Sequence, residues 1–248
     1  MNISSFRELP DVIKNILIIN CLFYLATITL ESQGINLTKI LGLHQFQSPN
    51  FRPHQLITHM FMHGSFAHLF WNMFAVWMFG KVLENVWGGK RFLKFYIITG
   101  LGAALIYMGY IQFQINVFSK NIDPSQLQEL LYVVKNQGAD VISQGQNYTN
   151  PILGKMNGLI NAPMVGASGA LFGILLAFGL LFPNTLLYIY FAIPIKAKYF
   201  VMIYGAMELF LGLRNHPSDN IAHFAHLGGM IAGYIILKYW KQDRNTFY

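Results

Sequence analysis

Long stretches free of charge alternate along this chain with short polar connections. The length of each stretch predicts helices that cross a lipid bilayer, which takes about 20 apolar residues. The first run, 13–30, holds no charge after Lys14. No small-residue cleavage pattern follows it, so it reads as a first span and not as a removed signal segment. Residues 31–55, with Pro49 and Pro53, read as a connecting loop. Residues 56–80 lack Asp, Glu, Lys and Arg yet carry His59, His63 and His68. A third run, 95–113, has the Gly and Ala content of a packed membrane helix.

The pattern breaks at 114–162, where Asn, Gln, Ser, Asp and Lys recur and Leu127, Leu130, Leu131 and Val134 mark a short amphipathic helix. This segment reads as an extramembrane insert between the third and fourth spans. From Met156 to Ile195 charge is absent for 40 residues, too long for one span. Pro183 and Pro194 end a fourth span, 163–182, and begin a loop. Spans at 198–213 and 222–240 complete an all-α membrane protein of six transmembrane helices, a single domain over 1–248.

Composition agrees. The 248 residues are 54% hydrophobic and only 11% charged, where an ordinary soluble domain is about a quarter charged. The net charge of +7 does not point to nucleic acid, because the basic residues lie in small groups with no basic helix. They read as topology instead. Arg7, Lys14, Lys81, Lys90, Arg91, Lys94, Lys196, Lys198, Lys238, Lys241 and Arg244 fall on the side of the termini, and six others are spread over longer loops opposite. The positive-inside rule then puts both termini in the cytoplasm and turns the 114–162 insert outward. Cys21, alone of its type, excludes an internal disulfide and a Cys-based zinc site, and reads as a small apolar residue in a span.

Polar groups at membrane depth are costly and mark function or paired structure. They gather in HMFMHGSFAHLFWN (59–72), GASG (166–169) and HFAHLGG (223–229), all toward the outward ends of their spans. A lone membrane serine is most often a packing residue, but Ser168 follows Pro163 and stands between Gly166 and Gly169 where a helix begins. There the first N–H groups lack intrahelical partners and the dipole favours an oxyanion. Ala225, Gly229 and Gly233 form a small-residue stripe, and Gly169 and Gly173 form another. Two such faces allow close approach and bring His226 toward Ser168. His223 lies on a neighbouring face and reads as structural. His68 and Asn72, four apart, project N–H donors from one helix face, the chemistry of an oxyanion hole. His59 and His63 are half a turn out of phase with His68 and read as loop anchors.

These residues, HLFWN with His68 and Asn72, GASG with Ser168, and AHLGGMIAG over 225–233, resemble in order and spacing the rhomboid family of intramembrane serine proteases. His59 and His63 fall where the family has HxxxH, and Glu84 to Gly88 matches its ExxxG. The resemblance implies a rhomboid-like bundle in which Ser168 is the nucleophile, His226 the general base, and His68, Asn72 and the Ser168 N–H the oxyanion donors. Gly166, Gly169, Gly229, Gly233, His59 and His63 support them. It implies no cofactor and no metal. The implied partners are the lipid bilayer and single-span or multi-span membrane-protein substrates, cut near the outer membrane face. It implies the bacterial inner (cell) membrane as the location. Glu84 becomes structural, tying the cytoplasmic loop to a helix end. Phe172 stands where bacterial members often carry a tyrosine that stacks on the catalytic histidine. The long 114–162 insert also departs from the simplest members.

Two other classes compete. A membrane metal enzyme of the desaturase kind needs HH boxes that are absent here, and HExxH is absent too. A non-catalytic rhomboid-like binder of transmembrane helices typically lacks the serine or the histidine, and both are present. A transporter would show internal repeats.

Overall fold

The computed structural model describes residues 9–189, 192–214 and 222–242. Arg7 and Arg244, used above for topology, lie outside the described residues. The architecture is mostly helical. Helix α1, Asp11–Glu31, opens after Pro10, a residue whose fixed φ suits a helix entrance. The first turn's orphan donors are met from a distance, since the Glu84 carboxylate accepts from the N–H groups of Val12 at 2.9 Å and Ile13 at 2.8 Å. Polar groups within this apolar helix turn back on it, with Asn20 donating to the Ile16 carbonyl and Thr27 to that of Phe23.

The loop after α1 carries the short helices α2, Leu37–Leu41, and α3, Gln55–Thr58, the latter followed by a 3-10 turn over His59–Phe61. The second long helix, α4, runs Phe66–Trp87 and begins ten residues later than the charge pattern suggested. The cause is Ser65. It takes an extended conformation and its hydroxyl accepts from the His68 N–H at 3.1 Å, an N-cap that sets the helix start. A π turn over Val76–Gly80 lies mid-helix, and Gly88, with φ of 76°, ends it.

Helix α5 extends over Gly89–Ser119, beyond both expected ends of the third span. Residues 124–161 form short helices, α6 (Pro124–Val133), a π turn (Val134–Gly138), α7 (Ala139–Ser143) and α8 (Pro151–Asn161), capped by Asp123 and Asn150. Val134, Met156 and Ile160 bury a small core against Ile115 near the end of α5. Helix α9, Ser168–Leu181, starts at the serine itself, later than the expected 163. The segment read as a plain loop after it holds an antiparallel pair, β1 (Leu186–Ile189) and β2 (Ile193–Lys196), in which Leu186 faces Lys196. Helices α10, Ala197–Arg214, and α11, His223–Gln242, complete the described chain.

Helix α9 is the centre of the bundle, with nine of its fourteen residues buried, as expected of a helix apolar all round. It packs against α11, α5 and α10. The main core joins Ile13, Val76, Leu83, Phe92, Phe95, Tyr96 and Ile174. The outside is apolar as well: Leu22, Leu105, Phe113, Met202 and Leu213 are each more than half exposed. Among the described residues three helices, α1, α4 and α5, are long and apolar enough to cross a membrane by length and composition. Helix α9 is apolar but shorter.

Candidate active site

The approach of α11 to α9 is made by glycines. A Cβ added at Gly229 would overlap the carbonyl oxygen of Gly169, and one at Gly233 would stand 3.2 Å from the Cα of Gly173. Gly169 and Gly173 also admit α5, whose Ala103 and Thr99 would meet their added Cβ atoms at 2.6 and 2.8 Å. The α9 glycines therefore serve two neighbours at once. Backbone contact of this kind requires residues without side chains.

It sets the imidazole of His226, one turn before Gly229, against the first residue of α9. His226 Nε2 lies 2.8 Å from Ser168 Oγ. Ser168 is half-buried and His226 buried. The ring of Phe172, one turn along from the serine, stacks on the His226 ring with centroids 4.2 Å apart and planes 5° from parallel. An aromatic face at this position thus fixes the imidazole plane without a hydroxyl.

Gly166 bends the chain into α9 with φ of 126°, a region disfavoured for residues with a Cβ. Its N–H donates to the His59 carbonyl at 2.9 Å. The loop end is also bridged through Leu43 and Met164, which exchange two backbone bonds. His59 itself is buried, its Nδ1 2.8 Å from the Gln55 carbonyl. Its backbone and ring thus hold the approach to Ser168 and do not enter the serine's space.

His68 does enter it. An added Cβ on Gly166 would stand 2.8 Å from His68 Nε2 and 3.6 Å from Ser168 Oγ, so both border one small space. The buried His63 ring meets the His68 ring edge-on at 5.0 Å. Asn72 is buried on the same helix. Its amide donates to the His68 carbonyl at 2.8 Å, and its Oδ1 has no hydrogen-bond partner among the described residues. One amide hydrogen of the two is engaged along the helix; the other is available.

A carboxylate completes the cluster. Glu208 lies on the buried stripe of α10 with Ala197, Val201 and Gly212. Its Oε2 is 2.9 Å from His226 Nδ1 and 2.6 Å from His223 Nδ1. Gly212, one turn on, leaves room for His223 and Phe224 to sit against α10. Sequence reading passed over Glu208, although a carboxylate in the middle of the fifth apolar run was the signal that could have found it. The ligand atoms of Glu208, His223 and His226 all lie within 4.8 Å of one another, a donor set able to hold a divalent ion. The two short contacts to one oxygen are hydrogen-bond geometry.

The sequence matches the family described as "Eukaryotic integral membrane protein (DUF1751)" over residues 14–247, and the proteins it resembles carry rhomboid names. The chain belongs to this rhomboid-like membrane family. It is similar to RHOMBOID-like protein 12, mitochondrial, of Arabidopsis thaliana, 27% identical over 96% of this chain and 60% of that protein. Rhomboid protein 1, mitochondrial, of Saccharomyces cerevisiae is 25% identical over 72% of this chain and 39% of its own length. Rhomboid-like protein 17, chloroplastic, of Arabidopsis thaliana is 23% identical over 74% and 47%. The chain thus spans about 39% to 60% of the length of these relatives. The protein is an integral membrane protein of rhomboid-like kind. One expectation is corrected: the relatives are eukaryotic and carry mitochondrial or chloroplastic names, so the bacterial inner membrane is not borne out.

Proposed function

We propose that this rhomboid-like protein is an intramembrane serine endopeptidase that cuts transmembrane helices of membrane-protein substrates, with Ser168 as nucleophile and His226 as general base. The observation that carries this reading is the 2.8 Å approach of His226 Nε2 to Ser168 Oγ at the opening of a buried helix. Ser168 Oγ attacks the scissile carbonyl carbon while its proton passes to His226 Nε2. The resulting oxyanion is met by the Ser168 N–H, which belongs to a helix start with unpaired donors. The remaining Asn72 amide hydrogen and His68, bordering the same space, add donors. Collapse of the intermediate breaks the C–N bond and the leaving amine takes the proton from Nε2. Water then attacks the acyl-serine with His226 again as base, releasing the acid and restoring Ser168.

The spans, in this reading, are α1, α4, α5, α9, α10 and α11. Both termini then share one face, and the short helices of 124–161 lie at the opposite one. The membrane is that of an organelle, by likeness to the mitochondrial relatives.

The test is cleavage of a single-span substrate by the purified protein in liposomes, together with labelling by a serine-directed fluorophosphonate. Ser168→Ala should abolish both, and Asn72→Ala should lower turnover by about 10- to 1000-fold while the protein stays folded. Binding of transmembrane helices by the unsubstituted protein with neither cleavage nor labelling would instead make it a non-catalytic rhomboid-like binder.

A further inference from the structure

We infer that Glu208 is a positioning residue for His226, so that the proposed dyad works as a serine, histidine and carboxylate chain with His223 as its outer clamp. The inference rests on the protease reading and goes beyond it, since nothing in a dyad calls for a carboxylate on α10.

The geometry sets the protons. An ionised carboxylate oxygen only accepts. Two imidazole Nδ1 atoms converge on the single oxygen Oε2, at 2.9 Å from His226 and 2.6 Å from His223. For both contacts to be hydrogen bonds to a carboxylate, both nitrogens must carry hydrogen. The His226 tautomer is thereby fixed with hydrogen on Nδ1 and a lone pair on Nε2, and Nε2 faces Ser168 Oγ at 2.8 Å. That is the form a general base needs. With the opposite tautomer, Nε2 would hold a hydrogen against the serine and could not take its proton.

Burial adds the second half of the argument. Glu208, His223 and His226 are all buried, and a buried carboxylate is tolerated only when paired and hydrogen-bonded. His223 supplies one bond and is held by it, so Oε2 of the carboxylate has two donors. When Nε2 takes the serine proton, the imidazolium formed is already hydrogen-bonded to a negative group. Phe172 fixes the ring plane, and Glu208 fixes rotation within that plane. Three contacts thus hold one imidazole, Ser168 and Phe172 from α9 and Glu208 from α10.

In the liposome cleavage assay, Glu208→Gln keeps shape but loses the charge. It should lower kcat by about 100-fold or more with KM within about threefold, since the group acts after substrate is bound. Glu208→Asp, which restores the charge, should recover part of that loss. His223→Gln should give a smaller fall of the same kind. A Glu208→Gln turnover within about threefold of the unsubstituted protein, with Ser168→Ala still inactive, overturns the role of Glu208 and leaves the nucleophile standing. Absence of cleavage and labelling in the unsubstituted protein overturns both readings. Independently of any variant's folding, nitrogen NMR of histidine-labelled unsubstituted protein should find His226 protonated on Nδ1 and bare on Nε2; the reverse tautomer overturns the inference.

Discussion

Replacing Gly229 by alanine tests whether backbone contact between α9 and α11 sets the catalytic distance. The new Cβ would overlap the carbonyl oxygen of Gly169, the residue next to Ser168. That oxygen belongs to the backbone of a buried helix and has no rotamer by which to withdraw. Relief therefore requires the helices to part by roughly 1.5 Å to approach ordinary contact. Ser168 and His226 sit at this same crossing, and a 2.8 Å hydrogen bond opened by that amount lies beyond useful range. A misplacement of about 1 Å costs about 100-fold in rate. Overpacking costs about 1–3 kcal/mol, of which alanine's better helix propensity offsets only about 0.5–1 kcal/mol. Gly109 is the control, because a Cβ there meets nothing within 4 Å. Cleavage and fluorophosphonate labelling are measured for both variants. Gly109→Ala should match the unsubstituted protein, and Gly229→Ala should remain helical but lose about 100-fold. Full activity in Gly229→Ala would refute the argument that glycine contact sets the Ser168 to His226 distance.

Further outcomes concern stability. Glu84→Ala removes the acceptor for the Val12 and Ile13 N–H groups; leaving buried donors unpaired costs about 1–3 kcal/mol. The unfolding temperature should drop while turnover per folded molecule holds; an unchanged unfolding temperature would deny Glu84 its capping role. His44, in the loop before α3, has Nδ1 3.1 Å from the Asn161 carbonyl and Nε2 3.0 Å from that of Lys39. Burial holds its imidazole below the ordinary 6.5, outweighing those carbonyls. The folded state therefore binds this proton less readily than the unfolded chain. The stability His44 contributes is full above pH 6.5 and is lost as the pH falls through its lowered folded value. Thermal unfolding between pH 7.5 and 5 should fall less steeply in His44→Asn than in the unsubstituted protein, and equal slopes would contradict the assignment.

Several features of the site could be read from local pattern. The position of Ser168 between glycines at a helix entrance, the i, i+4 pairing of His68 with Asn72, and the stripe of Ala225, Gly229 and Gly233 are properties of residues near one another in the chain. So is the family likeness, which rests on their order. The start of α4 was misread because the run without charge continues through 56–65, and charge alone does not register a cap such as Ser65. The β1 and β2 pair was missed because two prolines argued for loop, yet Pro194 lies within a two-stranded pair, where each strand is an edge and proline is tolerated.

What the sequence by itself determined is therefore the set of helix-forming apolar runs and the chemical groups each presents at its end, because helical period and capping act within a few residues. Which faces meet beyond the glycine contact of α9 with α11 was decided only by tertiary structure. A Cβ added at Gly169 or Gly173 would meet α5 sooner than α11, and Glu208 finds His226 across 18 residues of chain. A carboxylate in an apolar run announces that it needs a partner, but not which one. The partner is set by the angle at which α10 packs against α11, and that angle comes from all their side chains together.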